Sequence, residues 1–335
     1  MKNKKVFLVT GATGLLGSNI IEKLLYMDNV FIIALSHNKL KLKKMFDKYD
    51  DASLIYVEKD MRFPFDLHSI LFNHPVDAVF HAAGPMSYKM INESPVDVIN
   101  PNLIALTSIL EGLVTQKHDL GISGRVVIFS SVTVYNGSNK GNDIIVNESD
   151  TNCSNGLDET YAVYSESKRM SEIIAKAYAK QYSIDIVIAR LSTVYGATLF
   201  PPETAFFEFI NNALLCKDIY IKNADLPKRD NIYIDDAVKG LFTILEKGKT
   251  GEAYNISSGG RFDNFSSIDE IAEIIAKITN EVFKKEIKVI YESPKSQFRK
   301  PGIILDNRKL ESIGWKLSIG LYDGLKNTIL KQAKY

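Results

Sequence analysis

Short apolar runs punctuate the first half of the chain, and each is followed by a longer stretch with the apolar spacing of a helix. The run Val6–Val9 has no polar position, as in a strand that is buried on both faces of a parallel sheet. Alternating strands and helices predict an α/β fold of the Rossmann type, a doubly wound parallel sheet with right-handed crossovers. The predicted strands are Val6–Val9, Val30–Leu35, Leu54–Val57, Val76–Phe80, Arg125–Phe129 and Ile184–Ala189.

A glycine-rich turn, Thr10–Gly17, joins the first strand to the first helix. Its glycines allow close backbone approach, and the helix N-terminus offers unpaired N–H groups to a pyrophosphate. The spacing G-x-x-G-x-x-G differs from G-x-G-x-x-G, and a plain structural turn is the alternative, but the strand–turn–helix context favours a dinucleotide site. The predicted cofactor contacts here are Gly11, Thr13, Gly14, Leu15, Leu16 and Gly17.

The end of the second strand bears on the choice of cofactor. An NAD site usually has an acidic residue there for the ribose hydroxyls, whereas this chain has Ser36, His37 and Asn38. Ser36, His37 and nearby lysines have room for a 2′-phosphate, so NADP stays open beside NAD. In the alternative interpretation these residues form a polar loop, and the adenosine is held mainly by backbone groups.

The next two strand ends also carry candidate ligand contacts, because ligands bind such sheets at the carboxyl ends of strands. An acidic side chain after the third strand can accept a hydrogen bond from an adenine amino group. Small residues after the fourth let a ligand lie against the backbone. His81 is interpreted as a packed, hydrogen-bonded histidine, and Asn102 is predicted to begin a helix. The contacts predicted at these ends are Asp60, Met61, Ala82, Ala83 and Gly84.

The second half has a different organisation. After Gly196 the segment Leu199–Pro202 breaks the alternation, helices are predicted from Phe206 and over Ile268–Ile278, and a strand is expected between Phe283 and Ile290. We therefore expect a dinucleotide-binding Rossmann domain at 1–190, with part of 225–260 returning to it. Residues 191–335 are expected to form most of a smaller, interleaved α/β substrate-binding region.

Composition and charge exclude several partners. The 335 residues carry a net charge of +1, with 45% hydrophobic and 24% charged residues, so no bulk field favours nucleic acid or membrane. The two cysteines have no metal-like spacing and fit a reducing compartment. We expect a cytoplasmic protein with no metal, nucleic acid or membrane partner.

Tyr164 and Lys168 are four residues apart, so on a helix they share one face. An ammonium beside a phenol favours the phenolate and lowers the pKa of the tyrosine, which provides an acid/base at neutral pH. The spacing alone is a weak signal, because chance supplies one or two such pairs in a chain of this composition.

The chain resembles the NAD-dependent epimerase/dehydratase family of extended short-chain dehydrogenases/reductases, whose members act on nucleotide sugars. The resemblance covers nearly the whole length in the right order. The segments that carry it are Thr10–Gly17, His81–Gly84, Asn102, Ser130–Tyr135, Tyr164–Lys168, Arg190–Gly196, Arg229–Asp236, Tyr254–Ile256 and Ile313–Trp315.

The resemblance implies roles for the site residues. Tyr164 would be the catalytic acid/base, Lys168 would lower its pKa and hold the nicotinamide ribose, and Ser131 would hydrogen-bond the sugar oxygen that is oxidised. Asn102, Tyr164 and Lys168 would also contact the cofactor, NAD or NADP. Contacts to a nucleotide-diphosphate sugar are expected from Ser87, Ser131, Thr193, Arg229 and Arg299.

Two of these substrate contacts have alternatives. Arginine suits the bidentate recognition of a diphosphate, but Arg229 and Arg299 could instead form surface ion pairs. Thr193 departs from the family pattern, because relatives often carry an asparagine there.

The residues after Ser131 bear on the reaction. Dehydratases of the family place an Asp-Glu pair there, and decarboxylases keep the glutamate, whereas this chain has Val132 and Thr133. We therefore expect an epimerase that transiently oxidises a sugar hydroxyl, at C4, to a ketone. An NAD(P)H-dependent reductase, a dehydratase or decarboxylase, and a non-catalytic dinucleotide-sensing protein are the alternatives.

A homodimer is also expected, since family members commonly dimerise through two helices of each subunit. In this chain those helices lie around Asn102–Leu113 and Tyr164–Tyr178. Ile173 and Tyr178 are candidates for burial at that interface, with the core of the subunit as an equal alternative.

Overall fold

The computed structural model describes residues 4–49, 53–84, 88–138, 142–150, 156, 158–222, 226–292 and 300–335. Its strands are β1 Lys5–Thr10, β2 Val30–Ser36, β3 Leu54–Glu58, β4 Ala78–His81, β5 Arg125–Ser131, β6 Ile144–Val146, β7 Asp185–Leu191, β8 Thr193–Tyr195, β9 Ile219–Ile221, β10 Arg229–Tyr233, β11 Ala253–Ile256, β12 Phe265–Ser266, β13 Val289–Tyr291 and β14 Ile303–Leu305. Its helices are α1 Leu15–Leu25, α2 Lys39–Phe46, α3 His68–Asn73, α4 Tyr88–Glu93, α5 Pro95–Leu120, α6 Ala162–Tyr182, α7 Ala205–Leu214, α8 Ile234–Lys247, α9 Ile268–Phe283, α10 Arg308–Ser312 and α11 Leu321–Gln332. A 3₁₀ helix, Val132–Ser138, follows β5 directly.

Seven parallel strands form the large sheet, in the order β11-β7-β5-β4-β1-β2-β3. Alternate side chains of β1 enter different cores: Val9 shares a cluster with Ile20 of α1, while Leu8 shares one with Leu106 of α5. All four side chains are fully buried. Helices therefore cover both faces, which explains the continuous apolar strands and confirms the doubly wound α/β fold.

The chain reverses its direction across the sheet next to β1. From β1 it passes to β2 and β3 on one side, and it then crosses to β4 on the other side. A crevice forms at such a switch point, beyond the carboxyl ends of the strands. The glycine-rich turn after β1 and the small residues after β4 both lie at this edge.

A second sheet is formed mostly by strands from the second half of the chain. Its strand order is β12-β10-β14-β6, with β8 paired to β10, while β9 and β13 form a separate pair. Strands of the two main sheets are mixed in sequence, since β6 pairs with β14 and β11 pairs with β7 of the large sheet. The expected division of the chain at residue 190 stays a prediction.

Two predicted helix boundaries are wrong. Asn102 does not begin a helix but lies inside α5, which starts at Pro95, a position where the missing N–H of proline costs nothing. Pro101, which lies inside the helix, made that start difficult to recognise from the sequence. Phe283 ends α9 instead of opening a strand, and the strand expected there is limited to β13.

Helix α5 is long and apolar enough to span a membrane by length and composition alone. About half of its most apolar stretch, 44%, is buried, and α5 packs against α3, α4 and α6. A core helix of a globular domain meets the same criterion, so α5 is weak evidence for a membrane span.

Asp236 joins the first turn of α8 to the segment before α11. Its buried carboxylate accepts hydrogen bonds from the backbone N–H groups of Ser318 at 2.9 Å and Ile319 at 2.8 Å. We expect Asp236→Ala to lower the free energy of unfolding by about 3 kcal/mol, because buried donors lose a charged acceptor. Urea denaturation measures the change. Asp235→Ala, at an exposed neighbouring position, should change it by under about 0.5 kcal/mol, and equal losses for the two would contradict this role.

Candidate active site

The turn between β1 and α1 is closed tightly against the end of β4. Gly11 has a φ of +61°, and a Cβ on it would lie 2.7 Å from the carbonyl oxygen of Ala82. A Cβ on Gly17 would lie 2.3 Å from the carbonyl oxygen of Gly11. Glycine is thus required at both positions, and α1 begins at Leu15 with its first N–H groups directed at the crevice.

Polar side chains from two strand ends meet beside this turn. The hydroxyl groups of Thr13 and Ser36 lie 3.1 Å apart, and His37 is exposed next to them. Asn38 has a structural task, because its side chain accepts a hydrogen bond from the N–H of Lys41 and caps α2. This edge therefore presents hydroxyl groups, with no carboxylate among residues 36–38.

Asp60 follows β3, as the sequence predicts, but its carboxylate already has a partner. The guanidinium of Arg62 lies 2.7 Å away, and its hydrogen bonds hold the pKa of Asp60 below the usual range. The neighbouring Met61 is buried. The contact from Asp60 to an adenine amino group stays a prediction.

Gly84, Asn102 and Lys168 form a tight cradle beyond β4. A Cβ on Gly84 would lie 2.6 Å from Oδ1 of Asn102 and 3.0 Å from Nζ of Lys168. The amide nitrogen of Asn102 donates to Ser167 and Val98, but Oδ1 is buried with no hydrogen-bond partner in the described ranges. An unpaired acceptor beside an ammonium suits a ligand that carries hydroxyl groups, such as a ribose.

The three predicted catalytic residues come together at the end of β5. Ser131 is the last residue of that strand, and Tyr164 and Lys168 lie on α6, all with under a tenth of their surface exposed. Nζ of Lys168 donates to the carbonyl oxygen of Phe129 at 2.8 Å and lies 5.8 Å from the centre of the Tyr164 ring. The cluster thus has a phenol, a hydroxyl and an amine within reach of one bound substrate.

The expected effect of Lys168 on Tyr164 needs correction. Burial raises the pKa of Tyr164, and a hydrogen bond with Ser131 opposes the rise. Burial also lowers the pKa of Lys168 to about 8. The lowering contribution comes from Ser131 and not from Lys168, whose ammonium is hydrogen-bonded to the Phe129 carbonyl.

His81 of β4 is a packed, neutral histidine. Its Nδ1 lies 2.9 Å from the hydroxyl of Thr10, and burial, followed by the charge of Lys168, lowers its pKa to about 3. It therefore carries no proton to exchange near neutral pH, in line with the sequence interpretation.

Val132 and Thr133 begin the 3₁₀ helix directly after Ser131. The N–H of Thr133 donates to the Ser131 hydroxyl at 3.2 Å, while its own hydroxyl is buried without a partner among the described residues. Neither side chain can exchange a proton with a substrate at neutral pH.

The remaining predicted substrate residues are only partly described. Thr193 begins β8 and pairs in register with Asn231 of β10. Arg229 begins β10 with an exposed side chain, and no residue of the described ranges forms an ion pair with it. Ser87 and Arg299 lie outside the described residues.

Glu172 and Arg190 form a buried ion pair that was not predicted from the sequence. The guanidinium of Arg190 donates to both carboxylate oxygens of Glu172, at 2.9 and 2.7 Å, and Ser130 donates to the same carboxylate at 2.6 Å. Two features of the sequence could have indicated this pair. Arg190 is a charged residue directly after the apolar run Ile184–Ala189, and Glu172 lies one helical turn beyond Lys168.

Comparisons with known proteins agree with this geometry. A model of the NAD dependent epimerase/dehydratase family matches residues 7–257. UDP-glucuronic acid decarboxylase 6 of Arabidopsis thaliana is 26% identical over 345 residues, covering 97% of this chain and 90% of that protein. The dTDP-D-glucose 4,6-dehydratase of Homo sapiens is 26% identical over 333 residues, covering 97% and 89%. The crystal structure of UDP-glucose 4-epimerase from Thermotoga maritima superposes with a TM-score of 0.80 at 21% identity, covering 98% of this chain and 99% of that one.

The dinucleotide turn and the residues gathered at the end of β5 place the protein among NAD-dependent enzymes with a Rossmann-type sheet. The family model spans well over half of the chain, so the protein belongs to the NAD-dependent epimerase/dehydratase family. NAD is the cofactor of this family. The glycine-rich turn and the cradle of Gly84, Asn102 and Lys168 fit it, because they offer helix N–H groups for a pyrophosphate and an unpaired acceptor for a ribose hydroxyl.

Gly84→Ala tests the cradle. The added methyl group would collide with Asn102 and Lys168, and the φ of +155° disfavours any side chain, so we expect at least a tenfold loss of NAD affinity by titration calorimetry. Gly121→Ala is the matched control, since it also has positive φ, +69°, but nothing lies within 4 Å of the new methyl group. Equal NAD binding by the two variants would contradict the assignment.

Proposed function

We propose that the protein is a nucleotide-sugar epimerase that transiently oxidises a sugar hydroxyl, at C4, to a ketone. The observation that carries the proposal is the cluster of Ser131, Tyr164 and Lys168 beside Val132 and Thr133. The cluster has an acid/base for one hydroxyl proton, while the two following positions lack the acid and base that elimination needs. Similarity to a UDP-glucose 4-epimerase structure supports the same substrate class.

In this mechanism, the glycine-rich turn and the cradle of Gly84, Asn102 and Lys168 would hold NAD, which would supply reversible hydride exchange with the sugar carbon. Tyr164 removes the proton from the hydroxyl group and later returns it. Ser131 hydrogen-bonds both the phenol and the sugar oxygen, and by stabilising the phenolate it offsets part of the effect of burial on the pKa of Tyr164. Lys168 binds the ribose hydroxyls beside the unpaired oxygen of Asn102.

The substrate contacts proposed outside this cluster are polar. Thr193 and Arg229, near the paired starts of β8 and β10, would hold the sugar diphosphate, with Ser87 and Arg299 as further contacts. Ser36 and His37 would face the adenosine ribose. The polar character of these positions suits a charged, hydroxylated ligand.

A dehydratase or decarboxylase is a second candidate, because similar proteins carry those names. A reductase is a third, favoured by the lack of an acidic residue at 36–38, which leaves room for NADP. A non-catalytic dinucleotide-sensing protein fits less well, since Ser131, Tyr164 and Lys168 are all present.

Incubation with nucleotide sugars separates these candidates. Purified protein without added cofactor is mixed with UDP-glucose, UDP-glucuronic acid or dTDP-glucose, and the products are followed by proton NMR. An epimerase converts one of these sugars to a stereoisomer without added NADPH. Consumption of NADPH in step with substrate would identify a reductase, and release of water or carbon dioxide would identify an elimination or a decarboxylation.

Tyr164→Phe should lower kcat by about 10²–10⁴-fold, because the phenol hydroxyl that transfers the proton is removed. The initial rate with the sugar identified above is the measurement. Tyr161→Phe, at an exposed position just before α6, is the control and should keep the full rate. Full activity of Tyr164→Phe would contradict the proposed mechanism.

We also propose a homodimer through α5 and α6. These helices pack on each other and leave apolar side chains outside: Val96, Met170 and Ile173 are 60%, 45% and 57% exposed. A groove of about 600 Å³ lies beside α5 and includes Leu103 and Ile104. Of the two candidates, Ile173 is free for a partner subunit, whereas Tyr178 is half-buried and donates its hydroxyl to Glu111 of α5.

Ile173→Glu should convert the dimer to a monomer, because a charge would be placed in an apolar interface. Light scattering coupled to size-exclusion chromatography gives the mass directly. Leu40→Glu, at a 78% exposed position on α2, should leave the mass unchanged. A wild-type mass of one subunit would rule out the dimer.

A further inference from the structure

Three consecutive residues at the end of β5 each contact α6. The carbonyl oxygen of Phe129 accepts from Lys168, the hydroxyl of Ser130 donates to Glu172, and Ser131 hydrogen-bonds Tyr164. Tyr164, Lys168 and Glu172 are spaced by one helical turn and form a single face of α6. The first two are the proposed catalytic pair, and the third has no part in the chemistry.

Glu172 is held on its other side by a buried ion pair. Arg190, at the end of β7, grips both of its carboxylate oxygens, and the two side chains are only 11% and 9% exposed. Arg190 also donates to the hydroxyl of Tyr135 at 2.7 Å and to the carbonyl oxygen of Glu148 at 3.1 Å, and Tyr135 in turn donates to Asn255 of β11. The guanidinium therefore contacts three separate parts of the fold directly, and Tyr135 links it to β11.

We propose that Glu172 is a positioning residue that fixes the register of α6 on β5 and so keeps the phenol of Tyr164 at Ser131. A two-oxygen grip by a buried guanidinium allows little sliding or rotation of the helix, because either movement would leave a buried charge without its partner. The role in positioning Tyr164 for chemistry rests on the proposed function, while the helix register can be tested without it.

Glu172→Gln is the sharpest change. The amide keeps an oxygen for one contact but turns an NH₂ group toward a donor of Arg190, so the two-oxygen grip is lost at nearly constant volume. If α6 then shifts, the hydrogen bond between Ser131 and Tyr164 lengthens. Because that bond lowers the pKa of Tyr164, its weakening should raise the pKa.

The pKa of Tyr164 can be followed by NMR in protein labelled with [ζ-¹³C]tyrosine, with the resonance assigned from Tyr164→Phe. We expect Glu172→Gln to raise this pKa by about one unit, equivalent to a tenfold smaller ionised fraction at a given pH. Lys168 on the same helix is a titratable neighbour, with Nζ 5.8 Å from the centre of the Tyr164 ring, and His81, which is close enough to feel the charge of Lys168, stays neutral above pH of about 3. Glu166→Gln is the control, since Glu166 pairs with Arg169 at 3.7 Å on the surface of the same helix, and it should leave the pKa unchanged.

Activity provides the second readout. With a sugar that the wild type converts, Glu172→Gln should lower kcat about tenfold and leave KM within about twofold, at a temperature where circular dichroism shows the variant folded.

If Glu172→Gln does not fold, Ser130→Ala removes only the contact between β5 and Glu172 and should raise the pKa of Tyr164 by a smaller amount. An unchanged pKa in a folded Glu172→Gln or Ser130→Ala variant, or an equal shift in Glu166→Gln, would overturn the positioning role. A wild type that converts no sugar would instead refute the proposed function, and the NMR titration would still decide the role of Glu172.

Discussion

The buried ammonium of Lys168 constrains the whole site. A charged group without water must find acceptors, and Lys168 takes the carbonyl oxygen of Phe129. This bond ties α6 to the strand edge where β1 and β4 also end, and it brings the lysine against Gly84 and Asn102. The same burial shifts the pKa of Lys168 downward and that of Tyr164 upward, so one packing constraint sets the chemistry of both side chains.

Much of the fold could be predicted from sequence because its signals are local. A strand that is buried on both faces must be apolar at every position, and the runs at β1 and β2 show this within a few residues. The glycine-rich turn is equally local, since Gly11 and Gly17 face carbonyl oxygens that leave no space for a side chain. The meeting of Ser131 with Tyr164 was expected from the family resemblance and not from a local pattern, because Ser131 ends a strand whereas Tyr164 lies on α6.

Other features depend on burial and partners that no local pattern reveals. The pKa of Tyr164 is raised by its burial in the surrounding core, and the spacing of residues along a helix does not reveal that burial. The grip of Arg190 on Glu172 joins residues of two elements, and each charge looks like a surface residue when read alone. The start of α5 at Pro95 was difficult to predict because a proline such as Pro101 is compatible both with the start of a helix and with a position inside one.

The pairing of β6 with β14 has a consequence for how the protein is made. Asp143 accepts a hydrogen bond from the N–H of Gly302, and the N–H of Ile144 donates to the carbonyl oxygen of Gly302, across more than 150 residues of chain. Loop closure over such a span is slow and must wait until the far partner has been synthesised. During translation the cofactor turn can therefore form early, while the sheet that contains Arg229 is completed only after β14 has left the ribosome.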